Sequence, residues 1–190
     1  MTHRDHHFHH HDQQAIQSMV DYQGFALFHG GGARGWSHTI GLYDPHYQRP
    51  ELFIWGLTLQ LRVAWLLDLG FQMQGPPSSR ALLEESRALG IPIAELGYHR
   101  GGKVFETGRV YRFAEGELPC CFGMVVPHYY EEFLWHARAY HEHADFSVLQ
   151  YTWSDPVGRF PWDEACDPRT RLSQRLLFDP QQYLPLSEGG

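Results

Sequence analysis

The stretch GWSHTIGLYDPHYQRPELFIWGL, residues 35–57, holds two apolar runs, TIGL and ELFIWGL, each ending in Gly-Leu. Between them lies a loop crowded with Asp44, Pro45, His46, Tyr47, Arg49 and Pro50. β-type residues on both sides of a Pro-bounded loop predict two neighbouring antiparallel strands, residues 36–42 and 51–57. Upstream, residues 25–29 form another short apolar run, parted from Trp36 by Gly30, Gly31, Gly32 and Gly35, which predicts a first hairpin. The three consecutive glycines lack the Gly-Lys-Ser/Thr ending and the strand-to-helix setting of a phosphate loop, so they read as a turn.

Working outward, Thr58 is placed as the N-cap of a helix whose Leu59, Val63, Leu66 and Leu67 share a face, with Gly70 as its stop. A helix before the first strand, residues 12–22, follows from Ala15, Ile16, Met19 and Val20. A further helix is predicted over 79–89. Three strands follow, over 93–99, 104–113 and 120–126, as an antiparallel meander. The spacing then predicts a helix over 128–142 with His136 on its exposed face, a strand over 146–153, and a short helix over 169–177. No regular βαβ alternation appears. The expected fold class is therefore α+β: a mainly antiparallel curled sheet, or a small split-barrel-like sheet, with inserted helices.

At 190 residues the chain suits one domain with a substantial core. The expected organisation is a flexible His-rich tail over 1–12, a single globular domain over 13–166 and a C-terminal extension over 167–190. A hydrophobic share of 43% and an aromatic share of 15% exclude a disordered chain. The net charge of −7, with basic residues scattered singly, argues against a nucleic-acid partner. Cys120, Cys121 and Cys166 do not make a disulfide framework, because two are adjacent. With no apolar signal region and no uninterrupted hydrophobic span, the expectation is a cytoplasmic protein without a membrane segment.

HTIGLYDPHYQRPELFIWGL (38–57) and VLQYTWSDPVGRFPWD (148–163) together resemble two blocks of the bacterial domain-of-unknown-function family 4262. The resemblance spans about residues 16–165, with the blocks in the family's order. His38 stands where that family usually has Tyr or Phe and Ser154 where it usually has Pro, and there is a longer insert around residues 75–90. The family implies no activity. Its element order is also similar to that of the split β-barrel flavin-binding proteins, an architectural likeness that makes flavin the one cofactor to expect and a homodimer the assembly to expect.

Two groups of residues are candidate ligand contacts. In the first, His38, Thr39 and Arg49 lie near Glu51 if the strands pair, and an imidazole beside a carboxylate is the smallest acid-base set. The alternative is that Glu51 pins the loop by internal hydrogen bonds. In the second, Gln150, Trp153, Asp155, Arg159 and Trp162 form either an aromatic wall facing a planar or anionic ligand, or a structural lock in which Asp155 accepts from the indole N–H groups. His136, His141 and His143 do not suit a metal site. On a helix the first two differ by about 140°, and the outer two lie about 10 Å apart along the axis. Cys120 and Cys121 read as packing. The functional expectation is a ligand- or cofactor-binding domain, with flavin as the cofactor that the split-barrel likeness implies. The alternative is a protein-interaction module using the aromatic surface around Trp153 and Trp162. The sequence names no reaction and does not decide whether the protein is an enzyme.

Overall fold

The computed structural model describes residues 10–32, 35–43, 49–74, 87–88, 90, 103, 105–113, 118–142 and 145–183. In chain order the described elements are α1 (His10–Gln23), β1 (Ala26–Gly30), β2 (Trp36–Ile40), β3 (Glu51–Trp55), α2 (Leu59–Gln74), β4 (Val110–Tyr111) and β5 (Cys120–Met124). A 3₁₀ turn (Pro127–Tyr129) leads into α3 (Tyr130–Phe133) and α4 (Trp135–Tyr140), followed by β6 (Val148–Trp153), α5 (Pro168–Ser173) and a 3₁₀ turn (Pro180–Tyr183). The expected helix over 79–89 and strand over 93–99 lie mostly or wholly outside the described residues.

The six strands form one sheet in the order β1-β2-β3-β6-β5-β4. Both hairpins read from the sequence are present: β1 pairs antiparallel with β2, and β2 antiparallel with β3. The fold is α+β, with two corrections. The sheet is open, with β1 and β4 at its edges, so it is not a closed barrel. It is also mixed, because β6 inserts beside β3 in parallel, Glu51 facing Val148 and Phe53 facing Gln150. Parallel neighbours cannot be joined by a tight turn, and the long connection between β3 and β6 carries α2, β4, β5, α3 and α4.

Alternation along the central strands builds a core on each face of the sheet. One contains Leu52, Ile54, Phe122, Leu149 and Tyr151 with Leu66, Leu69 and Met73 of α2. The other contains Trp36, Ile40, Phe53 and Val148 with Phe133, Leu134 and Ala137 of the α3–α4 segment, and Ile16 and Val20 of α1 pack against it. Layers on both faces explain why β2 and β6 are buried at every position rather than at every second one. The helix expected over 128–142 is broken at Leu134, whose φ of −123° leaves the helical region.

α2 does not stop at Gly70 but runs on to Gln74. Gly70 serves close packing instead, since a Cβ there would come within 2.5 Å of the Phe25 ring. The same helix places Arg62 at 1% exposure. Its guanidinium donates to Ser37 Oγ (2.9 Å), Gly35 O (3.0 Å), Leu57 O (2.5 Å) and, at 3.4 Å, Gly32 O. Arg62 thus ties α2 to the glycine turn and to the end of β3 through neutral acceptors, and burial lowers its pKa. Replacing it with Leu removes all four bonds: Leu57 O loses its Arg62 donor, while Gly35 O, Gly32 O and Ser37 Oγ each keep one partner, Gly56 N–H, Gly35 N–H and His29 Nδ1. The expected cost is about 3 kcal/mol or more in urea denaturation.

The two Gly-Leu endings have the same backbone. Gly41 and Gly56 both have φ of +89°. A Cβ on Gly41 would meet Val20 Cγ2 at 2.7 Å, whereas one on Gly56 would overlap the Ser173 carbonyl oxygen. A side chain can move aside more readily than a carbonyl held by its neighbours. Gly41→Ala is therefore expected to cost about 1–3 kcal/mol, and Gly56→Ala distinctly more, in thermal melts of the two variants. Equal losses would show that the φ angle alone sets the penalty.

Candidate functional site

β2 and β3 pair in register only as far as His38 and Phe53. Beyond that point the Thr39 hydroxyl takes over the ladder. It accepts from Leu52 N–H at 2.8 Å and donates to Glu51 Oε2 at 2.5 Å. Glu51 Oε1 accepts from Gly41 N–H (2.7 Å), Tyr43 N–H (3.2 Å) and His141 Nε2 (2.8 Å). The carboxylate is fully buried. Burial by itself raises its pKa, but hydrogen bonding and charge from His141, with the Thr39 and Tyr43 donors, outweigh that and hold it below the usual glutamate value.

The imidazole that meets Glu51 is His141, from the end of α4, and not His38. His38 is fully buried, with its Nδ1–H donating to the Thr39 carbonyl at 2.8 Å. Its ring lies among Trp36 (5.7 Å between centroids), Phe28 (5.5 Å) and His136 (6.5 Å). Nε2 is buried, with no hydrogen-bond partner among the described residues. Desolvation lowers the pKa of His38 to about 4, so the ring is neutral at ordinary pH. His136, expected on an exposed face, is buried, its ring centroid 3.4 Å from that of Phe28 and its plane tilted by 33°. Arg49 is also buried.

In the second group the polar ends face inward. The Gln150 amide donates to Arg175 O (2.7 Å) and accepts from Leu177 N–H (2.7 Å), which fastens the C-terminal segment to β6. Trp153 is only 9% exposed, and its backbone is held on both sides by Gln174. Asp155 accepts from the backbone N–H groups of Val157, Arg159 and Asp167 rather than from indoles. Burial opposes its ionisation, yet those three bonds hold its pKa down. Arg159 donates to Ala165 O at 2.8 Å. Trp162 is half-buried and stacks on Phe160 with centroids 4.7 Å apart. Of the segment expected as a C-terminal extension, 167–190, the described residues 167–183 fold back on the sheet, where Leu177 joins the core and Phe178 occupies the space that a Cβ on Gly123 would need.

The two groups meet only at one line across the sheet, where His38 faces Phe53 and Phe53 faces Gln150. A cleft of about 520 Å³ lies at the starts of β3 and β6, lined by Tyr43, Pro50, Phe105, Glu106, Thr107, Met124, Ser147 and Leu149. Tyr43 joins this cleft to the Glu51 cluster, its ring edge-on to His141 at 5.4 Å. Sequence reasoning weighed His141 only as a metal ligand and did not single out Tyr43 as a contact. The separation of His141 from Glu51 along the chain left no local pattern to find. Among the described residues no group of three or more His, Cys, Asp or Glu could hold a metal ion. Cys121, on β5, has its thiol pushed up to about 12, mainly by burial, which makes it a poor nucleophile. No described helix is long and apolar enough to cross a membrane.

Residues 93–167 match the model of a family described as Domain of unknown function (DUF4262). The match bears out the family resemblance over that stretch, which contains the second motif block. The first block, residues 38–57, lies outside it. Comparison with curated proteins and with solved structures finds no match.

Because the folded-state pKa of Glu51 is lowered from 4.5, the unfolded chain takes up the proton first as pH falls. The stability Glu51 supplies is thus complete above about pH 5 and is lost as pH drops through 4.5 toward the folded value. Glu51→Gln is expected to cost about 2–4 kcal/mol at pH 7, with the gap to wild type narrowing toward pH 3 in denaturant titrations. A gap independent of pH would contradict the ionised network.

Proposed function

We propose that the chain is a small-molecule-binding domain whose site is the cleft at the starts of β3 and β6. The observation that carries this reading is the composition of the cleft. Its volume of about 520 Å³ is in the range of small-ligand sites, and Tyr43, Pro50, Phe105, Met124 and Leu149 give it apolar walls. Thr107 and Ser147 supply hydroxyls, and Glu106 is its charged lining residue. Among the described residues the lining has a carboxylate and no cation, which favours neutral, planar ligands over anions. The cleft also borders Pro50, next to the Glu51 anchor, so a rigid strand end stands behind it.

The flavin expectation came from likeness to split barrels. With the sheet open, flavin is carried forward only as one member of a ligand screen. The competing reading, a protein-interaction module, has support from a different surface than first expected. Trp153 is buried and Trp162 half-buried, whereas Val157 and Leu172 are 71% and 86% exposed.

The test is a thermal-shift screen of neutral aromatic compounds and flavins, with an absorbance spectrum of the protein as purified. A hit that occupies the cleft is expected to lose at least about tenfold in affinity in Met124→Trp, which obstructs the mouth, and to be indifferent to Val157→Glu. A screen without hits, or a hit unmoved by Met124→Trp, would count against the cleft.

A further inference from the structure

Among the described residues, every polar side chain in the cleft lining can accept a hydrogen bond and none is a cation: Tyr43, Glu106, Thr107 and Ser147. An ionised carboxylate accepts only, and a hydroxyl can turn its lone pairs to a donor. Such a lining opposes anions and tolerates neutral ligands. A cation with N–H groups to donate gains from it, through charge and through hydrogen bonds together. The chain as a whole carries a net charge of −7, which draws cations toward its surface.

Two of the chain's own cations, Lys103 and Arg109, flank Phe105, Glu106 and Thr107 in the sequence, and neither lines the cleft. Lys103 holds its Nζ over the rings of Phe113 at 4.9 Å and Phe105 at 5.4 Å. Arg109 lies over Tyr111 at 5.6 Å and reaches Glu106 through a single contact, Nη1 to Oε1 at 3.0 Å. The side chains of that pair are 61% and 64% exposed, so it is weak and open to a competitor. Among the described residues Glu106 Oε2 has no hydrogen-bond partner, and neither have the hydroxyls of Thr107 and Ser147. A primary ammonium has three N–H donors, and these three side chains offer it acceptors.

We propose that the cleft takes an organic cation, a protonated primary arylalkylamine, with its ring among Tyr43, Pro50, Met124 and Leu149 and its ammonium at Glu106. This rests on the cleft being the ligand site and adds the sign of the ligand's charge. Glu106 sets the preference for a cation, and Arg109 competes with the ligand for the same carboxylate. Because Glu106 is mostly exposed and makes no bond that the fold depends on through its carboxylate, it can be neutralised without unfolding the chain.

The test compares two probes of nearly the same shape on the full chain, 2-phenylethylamine, protonated at neutral pH, and 2-phenylethanol, which is uncharged. Binding is followed by NMR shift titration at low ionic strength. The amine is expected to bind about three- to fivefold more tightly than the alcohol, the upper range for a partly exposed ion pair. Glu106→Gln is expected to erase that preference with the alcohol unchanged, Arg109→Ala to enlarge it, and Met124→Trp to weaken both probes. Equal affinity for the two probes, both weakened by Met124→Trp, overturns the charge assignment and leaves the cleft standing. A preference for the amine that survives Glu106→Gln overturns it as well, because the attraction then lies elsewhere. Probes that bind but are unmoved by Met124→Trp overturn the cleft reading and this proposal together. If neither probe binds, the amine assignment fails, and the wider ligand screen still judges the cleft.

Discussion

A fully buried carboxylate at the start of β3 is the constraint from which the rest of this structure follows. Glu51 can be ionised in the interior only if donors converge on it, and they come from β2, from the turn after β2 and from the end of α4. An uncompensated charge at that depth would cost several kcal/mol, so these three parts of the chain are bound to one geometry. The end of the β2–β3 ladder, the sharp left-handed turn at Gly41 and the placement of α4 against the sheet are aspects of that single requirement.

The other end of β3 is held by a buried group of opposite charge. Arg62 donates to Gly35, Leu57 and Ser37, and Ser37 Oγ also lies 2.7 Å from His29 Nδ1. Glu51 and Arg62 do not pair with each other. Each is neutralised by dipoles and hydrogen bonds at its own end of a five-residue strand. A strand anchored at both ends is a rigid support, and the cleft lies at its Glu51 end.

The C-terminal segment closes the other face by amide chemistry rather than charge. Gln150 and Gln174 each make paired bonds to backbone on facing segments, a reciprocal arrangement that mimics a strand ladder where none continues. Arg175 lies over Phe133, Tyr129 and Trp55 at 4.9, 5.6 and 5.7 Å, adding a cation over aromatic faces to the same fastening. Of the second motif block, Gln150 and Trp153 are engaged in this fastening.

Periodicity and turn chemistry determine local structure, and here they were sufficient for α1, both hairpins, the start of α2 and strands β5 and β6. The α+β class follows from those elements, and so does the proximity of Thr39 to Glu51, since a hairpin register is a local property. Tertiary structure alone decided the rest. That β6 lies parallel between β3 and β5 depends on contacts far apart in the chain, and no local pattern encodes them. That His141 rather than His38 meets Glu51 depends on where the α3–α4 segment docks, and alternation in β2 had already turned His38 into an aromatic layer. Gly70 could be read as a helix stop or as a packing notch, and only the Phe25 ring above it distinguishes the two. The composition of each segment is written in the sequence, but which buried charge meets which donor is settled when the layers close.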